Sequence, residues 1–133
     1  MVSFSALHAI AWSSAAKRIE DADGRSAMPI AVSACLLGEP CRFDGESRPC
    51  EAVLRLRATH ELVGVCPETL GGLPVPRTPR EIVATERALR VVDADGGDAT
   101  DAFLAGAAKT TELVRERGCT LAVLKAKSPS CGN

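Results

Sequence analysis

Three short apolar runs punctuate the chain, and each leads into a cysteine. Ile30-Ala31-Val32-Ser33-Ala34 precedes Cys35, Leu62-Val63-Gly64-Val65 precedes Cys66, and Thr120-Leu121-Ala122-Val123-Leu124 runs through Lys125-Ala126-Lys127 to Ser128-Pro129-Ser130-Cys131-Gly132. Runs of this length and composition read as strands buried on both faces. Residues 88–92 form a further strand-like run, ended by Asp93-Ala94-Asp95-Gly96-Gly97. Between the strands, residues 50–60 read as a helix. A longer helix begins near Asp98 or Thr100, with Phe103, Ala107, Thr110 and Val114 forming one apolar stripe at i, i+4, i+7 and i+11 and Gly118 suited to the position just past its end. Residues 71–80 hold too much Pro and Gly for regular structure and read as a fixed loop over the site.

This order of elements predicts an α/β fold, a small, largely parallel sheet flanked by helices, with a site at the carboxyl ends of the strands. Residues 1–28 mix Ser, Ala and charged side chains and read as a disordered or loosely helical N-terminal extension. Met28, directly before the first strand, is an alternative start. Residues 29–133 then form a single domain.

Composition narrows the picture. Apolar residues make up 46% of the 133 and aromatics 3%, so the core is built from Val, Leu, Ile and Ala. Sixteen basic residues against 17 acidic ones leave no basic face for nucleic acid, and no apolar run reaches the length of a membrane span. Residues 1–12 are mildly apolar but lack the preceding positive charge of a secretory signal. Six cysteines in such a chain suit a reducing, cytoplasmic setting, where thiols serve metal binding or catalysis rather than disulfides.

If the strands are parallel neighbours, Cys35, Cys66 and Cys131 share one sheet edge and converge. Three thiolates are soft ligands for zinc or an iron–sulfur cluster, and three ligands leave a coordination position open. The spacing alone equally allows three ordinary buried cysteines. Glu68, two residues after Cys66, is placed to act as a general acid or base. Ser128 and Ser130 can bond a substrate, a sulfide or an oxyanion. Arg42 and Asp44 lie in a loop near Cys35, where they either hold a polar ligand or pair with each other. Arg77 and Arg80 either contact a ligand or face solvent. Cys41, Cys50 and Cys119 fall outside the strand-end pattern; Cys119 belongs at the opposite edge of the sheet, and Cys41 is near enough in sequence to substitute as a ligand.

Four motifs occur in one order: Val32-Ser33-Ala34-Cys35-Leu36-Leu37-Gly38, then Cys41-Arg42-Phe43-Asp44-Gly45, then Val65-Cys66-Pro67-Glu68 with Gly71-Gly72-Leu73-Pro74 and Pro76-Arg77, and finally Leu124-Lys125-Ala126-Lys127-Ser128-Pro129-Ser130-Cys131-Gly132. Over residues 29–133 the chain resembles the thiouracil desulfidases, a bacterial family formerly of unknown function. The resemblance implies a [4Fe-4S] cluster held by Cys35, Cys66 and Cys131, with Glu68 and Ser128 catalytic. It implies non-redox removal of sulfur from a small thio-nucleobase such as thiouracil, releasing hydrogen sulfide. The alternatives are a non-catalytic iron–sulfur or zinc-binding sensor module, and a truncated, inactive member. The last arises because family members usually continue past the Ser-Pro-Ser-Cys-Gly loop, whereas this sequence stops at Asn133.

Overall fold

A computed structural model of the chain describes residues 7–11, 19–20 and 26–132. Its elements are β1 (Leu7–Ala11), β2 (Ile19–Glu20), β3 (Ser26–Ala27), β4 (Ile30–Ser33), α1 (Glu51–Leu54), β5 (Leu62–Val65), α2 (Pro67–Leu70), β6 (Arg80–Ala84), β7 (Leu89–Asp93), α3 (Thr100–Glu116) and β8 (Leu121–Lys125). A 3₁₀ turn, Ala34–Leu37, follows β4, and another, Arg55–Ala58, extends α1.

The main sheet has the order β1-β8-β4-β5. Strand β4 is central and parallel to both neighbours, with Ile30 opposite Leu62 on one side and Leu121 on the other. All four of its residues are buried, which is why its sequence is a continuous apolar or small run rather than an alternating one. Ile30 and Val32 pack with Leu36, Cys50 and Val53 on one face. Ala31 packs with Val63, Val65, Val114, Cys119 and Ala122 on the other, beneath α3. The α/β architecture read from the sequence is therefore present, with both faces of the parallel strands covered.

Three features differ from the sequence reading. Within residues 1–28, read as disordered or loosely helical, β1 runs antiparallel to β8 and β2 pairs with β3; the rest of that segment lies outside the described residues. The physical reason is the edge of β8, which presents unpaired N–H and C=O groups that another strand can satisfy. Second, Arg80–Ala84 is a strand, paired antiparallel with β7 in a separate two-stranded ladder. Most of its side chains are exposed, so it carries no apolar periodicity to read. Third, Ala107 is exposed on α3, and the buried face instead carries Phe103, Gly106 and Val114. Gly118 does end the helix region in the left-handed conformation, at φ 68°.

Gly106 is buried for a backbone reason. A methyl group built there would collide with the carbonyl oxygen of Pro67 in α2, and one built at Gly71 would collide with the carbonyl oxygen of Ala102 in α3. Helix α2 thus lies directly on α3 with no side chain between, and this contact sets where Glu68 sits. No helix among the described residues is long and apolar enough to cross a membrane.

Candidate active site

The carboxyl ends of β4 and β5 lie level, with Ser33 opposite Val65, and β8 runs parallel on the other side of β4. Each end delivers a thiol. The 3₁₀ turn after β4 carries Cys35 and is closed by Gly38 at φ 96°. Cys66 is the N-cap residue of α2, with Pro67 at the first helical position, where its missing N–H leaves nothing unsatisfied. After β8, Lys127 takes φ 56°, and Ser128 and Gly132 exchange backbone hydrogen bonds of 2.9 and 3.0 Å. The Ser-Pro-Ser-Cys loop is thereby closed into a ring that holds Cys131. Ser33 joins two of the ends: at the end of β4, its buried Oγ accepts the Lys125 N–H of β8 at 2.8 Å.

Cys35, Cys66 and Cys131 line one cavity of about 220 Å³. Cys41 lines it as well, a residue outside the strand-end pattern whose sequence signals are its nearness to Cys35 and its place in the Cys41-Arg42-Phe43-Asp44-Gly45 motif. It stands beside Cys35 and Cys66, and the Cys66 thiol donates to the Cys41 carbonyl oxygen at 3.9 Å. The Cys41 thiol beside them lowers Cys66 to a pKa of about 5, against burial and helped by Thr69, and Cys35 to about 7, against burial and helped by Lys125. Cys41 keeps its proton, its pKa raised by those two thiols and by burial. Burial pushes Cys131 up, opposed by the hydroxyls of Ser33, Ser130 and Ser128. Cys50 is buried in the core, and Cys119 is buried near the amino end of β8.

These thiolates have a reactive signature. In the cluster-free chain at pH 7, iodoacetamide modifies Cys66 first, the most acidic of the cavity thiols and only partly buried. Its reaction persists toward pH 5, well below the range of an ordinary thiol of pKa about 8.5. Peptide mapping at several pH values checks this; Cys41 or Cys131 reacting ahead of Cys66 contradicts the assigned proton positions.

The other side chains singled out in the sequence divide. Ser128 lines the cavity, whereas Glu68 and Ser130 stand behind its wall. The three are linked: the Ser130 hydroxyl donates to Glu68 Oε2 at 2.9 Å and lies 3.3 Å from Ser128 Oγ. Arg42 lines the cavity, but Asp44 does not; it pairs with Arg42 Nη2 at 3.4 Å and accepts the Glu46 N–H. Arg77 is buried rather than solvated, with its Nε 3.0 Å from Glu68 Oε1. Sequence could name an arginine there but not its partner. Lys125, Lys127, Arg42 and Arg80 add positive charge to the wall. Among the described residues, Arg42 Nη1 and Arg80 Nε are buried donors without a partner.

Among the described residues no three Cys, His, Asp or Glu side chains close on one metal ion, so nothing supports the zinc alternative. The arrangement fits a larger anionic group. A four-iron cluster asks its thiolates to stand apart around it and carries negative charge with them; here the thiols surround a cavity whose wall supplies cations and two unpaired donors.

The fold and site define an α/β protein whose strand-end thiols gather around one cation-lined cavity. The chain belongs to the 2-thiouracil desulfurase family, whose model matches residues 30–133. It is 37% identical over 110 residues to the uncharacterised protein YbbK of Bacillus subtilis (strain 168), covering 78% of this chain and 73% of YbbK. Among solved structures it is similar to the [4Fe-4S]-dependent thiouracil desulfidase TudS, at 42% identity and a TM-score of 0.70, covering 80% of this chain and 69% of that one.

Proposed function

We propose that this chain is an iron–sulfur-dependent desulfidase that removes sulfur from a thio-nucleobase such as thiouracil and releases hydrogen sulfide. The observation that supports it most is the presence of Cys35, Cys66 and Cys131 around one cavity into which Ser128 also faces. Those three cysteines are the proposed cluster ligands. When bound, a [4Fe-4S] cluster with three protein thiolates supplies an iron without a protein ligand, a soft Lewis acid matched to a thiocarbonyl sulfur.

The chain's own residues supply the proton chemistry. Net reaction of thiouracil with one water gives uracil and hydrogen sulfide, so two protons must leave the attacking water and two must reach the departing sulfur. Ser128 meets the cavity, Ser130 follows it, and Glu68 is the base at the end of the chain. In this arrangement Ser130 relays protons rather than binding substrate. Arg42, which lines the cavity, is the cation for the oxygen of the base, and Asp44 fixes Arg42 from behind.

The test is anaerobic reconstitution with iron and sulfide, on the parent and on Cys35→Ala, followed by incubation with 2-thiouracil and 4-thiouracil. The parent takes up about four irons and releases sulfide from a thiouracil; Cys35→Ala does neither. A parent that loads fully and releases none from either substrate overturns the reading.

A further inference from the structure

We infer that Arg77 is the positioning residue for Glu68: it occupies carboxylate oxygen Oε1 and so turns Oε2 toward the serine chain that reaches the cavity. The inference rests on the desulfidase reading. Its basis is that each of the three nitrogens of one guanidinium has an acceptor. Arg77 donates from Nε to Glu68 Oε1 at 3.0 Å, from Nη1 to the Pro74 carbonyl at 3.1 Å and from Nη2 to the Cys41 carbonyl at 2.8 Å. The side chain is 2% exposed and that of Glu68 13%. A planar fork with fixed donor directions and three fixed acceptors has little freedom to turn, so the carboxylate it holds has little either.

The two backbone acceptors come from separate loops. Pro74 belongs to the loop after α2, and Cys41 to the loop that brings a fourth thiol to the cavity. The Arg77 N–H also donates to the Phe43 carbonyl at 2.8 Å. Arg77 therefore references Glu68 to the cavity wall itself. Its second carboxylate oxygen is left for Ser130, which donates at 2.9 Å. Without Arg77 the carboxylate can rotate or withdraw, and the relay Ser128–Ser130–Glu68 loses its end point. Misplacing a reacting group by about 1 Å can cost on the order of a hundredfold in rate.

Two double-mutant cycles with Glu68→Gln and Arg77→Gln test this, one read by kcat of the cluster-loaded chain and one by the melting temperature of the cluster-free chain. Arg77→Gln alone lowers kcat about 10–100-fold with KM within about threefold, the pattern of an interaction lost in the transition state. In the Glu68→Gln background it lowers kcat no further. In the melting cycle each single substitution lowers the midpoint and the pair loses less than the sum, because each alone strands a buried partner. Should Arg77→Gln not fold, Arg77→Lys, which keeps the charge but lacks the fork, enters the same cycles. Parent-like kcat in the Arg77 variant, or additive losses in either cycle, overturns the inference while leaving the desulfidase reading intact. A loaded parent that releases no sulfide overturns that reading, and the proton-transfer role of Arg77 with it.

Discussion

Replacing Glu68 with Gln lowers turnover by the reconstituted chain about 10²–10⁴-fold, the range for loss of a positioned general base, and leaves its iron content unchanged. Gln keeps the length and shape of the side chain, and its amide oxygen can still accept from Arg77 Nε. The other carboxylate oxygen becomes an NH₂ group, which offers a donor where the Ser130 hydroxyl now donates. Two donors then face each other, the hydroxyl must rotate, and no group remains at that end to accept a proton. Cluster loading should survive because Glu68 is not among the cavity-lining thiols. Sulfide release and iron content measured on the same preparation separate an enzyme from a cluster-holding module. Parent-like turnover in Glu68→Gln removes the catalytic assignment.

Gly106→Ala is the second large effect, and its sign runs against helix propensity. In an exposed helix the change from Gly to Ala stabilises by roughly 1 kcal/mol. Here the added methyl meets the carbonyl oxygen of Pro67, a backbone atom that cannot swing aside. Helix α2 must move off α3 or α3 must bend, and overpacking of this kind costs about 1–3 kcal/mol. The displaced segment begins immediately after Cys66 and carries Glu68, so turnover falls along with stability. Thermal melting of the cluster-free chain checks the first consequence and sulfide release the second. A Gly106→Ala chain that melts above the parent means the two helices do not pack backbone to backbone.

That glycine also marks the limit of what could be read from sequence. The strand-end thiols were legible because buried parallel strands are short apolar runs, and a parallel sheet brings its carboxyl ends to one edge. The buried face of α3 was only half legible: a template for apolar spacing finds Phe103 and Val114, then passes over Gly106 and takes exposed Ala107 instead. Strand β6 escaped because its side chains are mostly exposed and it follows directly on a run of Pro and Gly. The ion pair of Arg77 with Glu68 spans nine residues and the approach of Cys66 to Cys41 twenty-five, and neither follows a helix or strand period that a sequence pattern announces. Glu68, Ser128 and Ser130 were each singled out in the sequence, but the hydrogen bond from Ser130 to Glu68 Oε2 and its approach to Ser128 Oγ were not legible.

The order of the main sheet also bears on how the site comes into being during synthesis. Strand β4 is made early and its neighbour β5 soon after, yet the partner on its other side, β8, comes from the far end of the described chain. Until β8 has left the ribosome, one edge of the central strand is bare, and a cavity needing Cys131 beside Cys35 and Cys66 does not yet exist. Long-range parallel pairing of this sort is slow to form. The nascent chain therefore passes through a stage with three of its four cavity thiols present and Cys131 unmade. On the proposed reading, cluster capture waits until β8 has joined the sheet and brought Cys131 to the cavity.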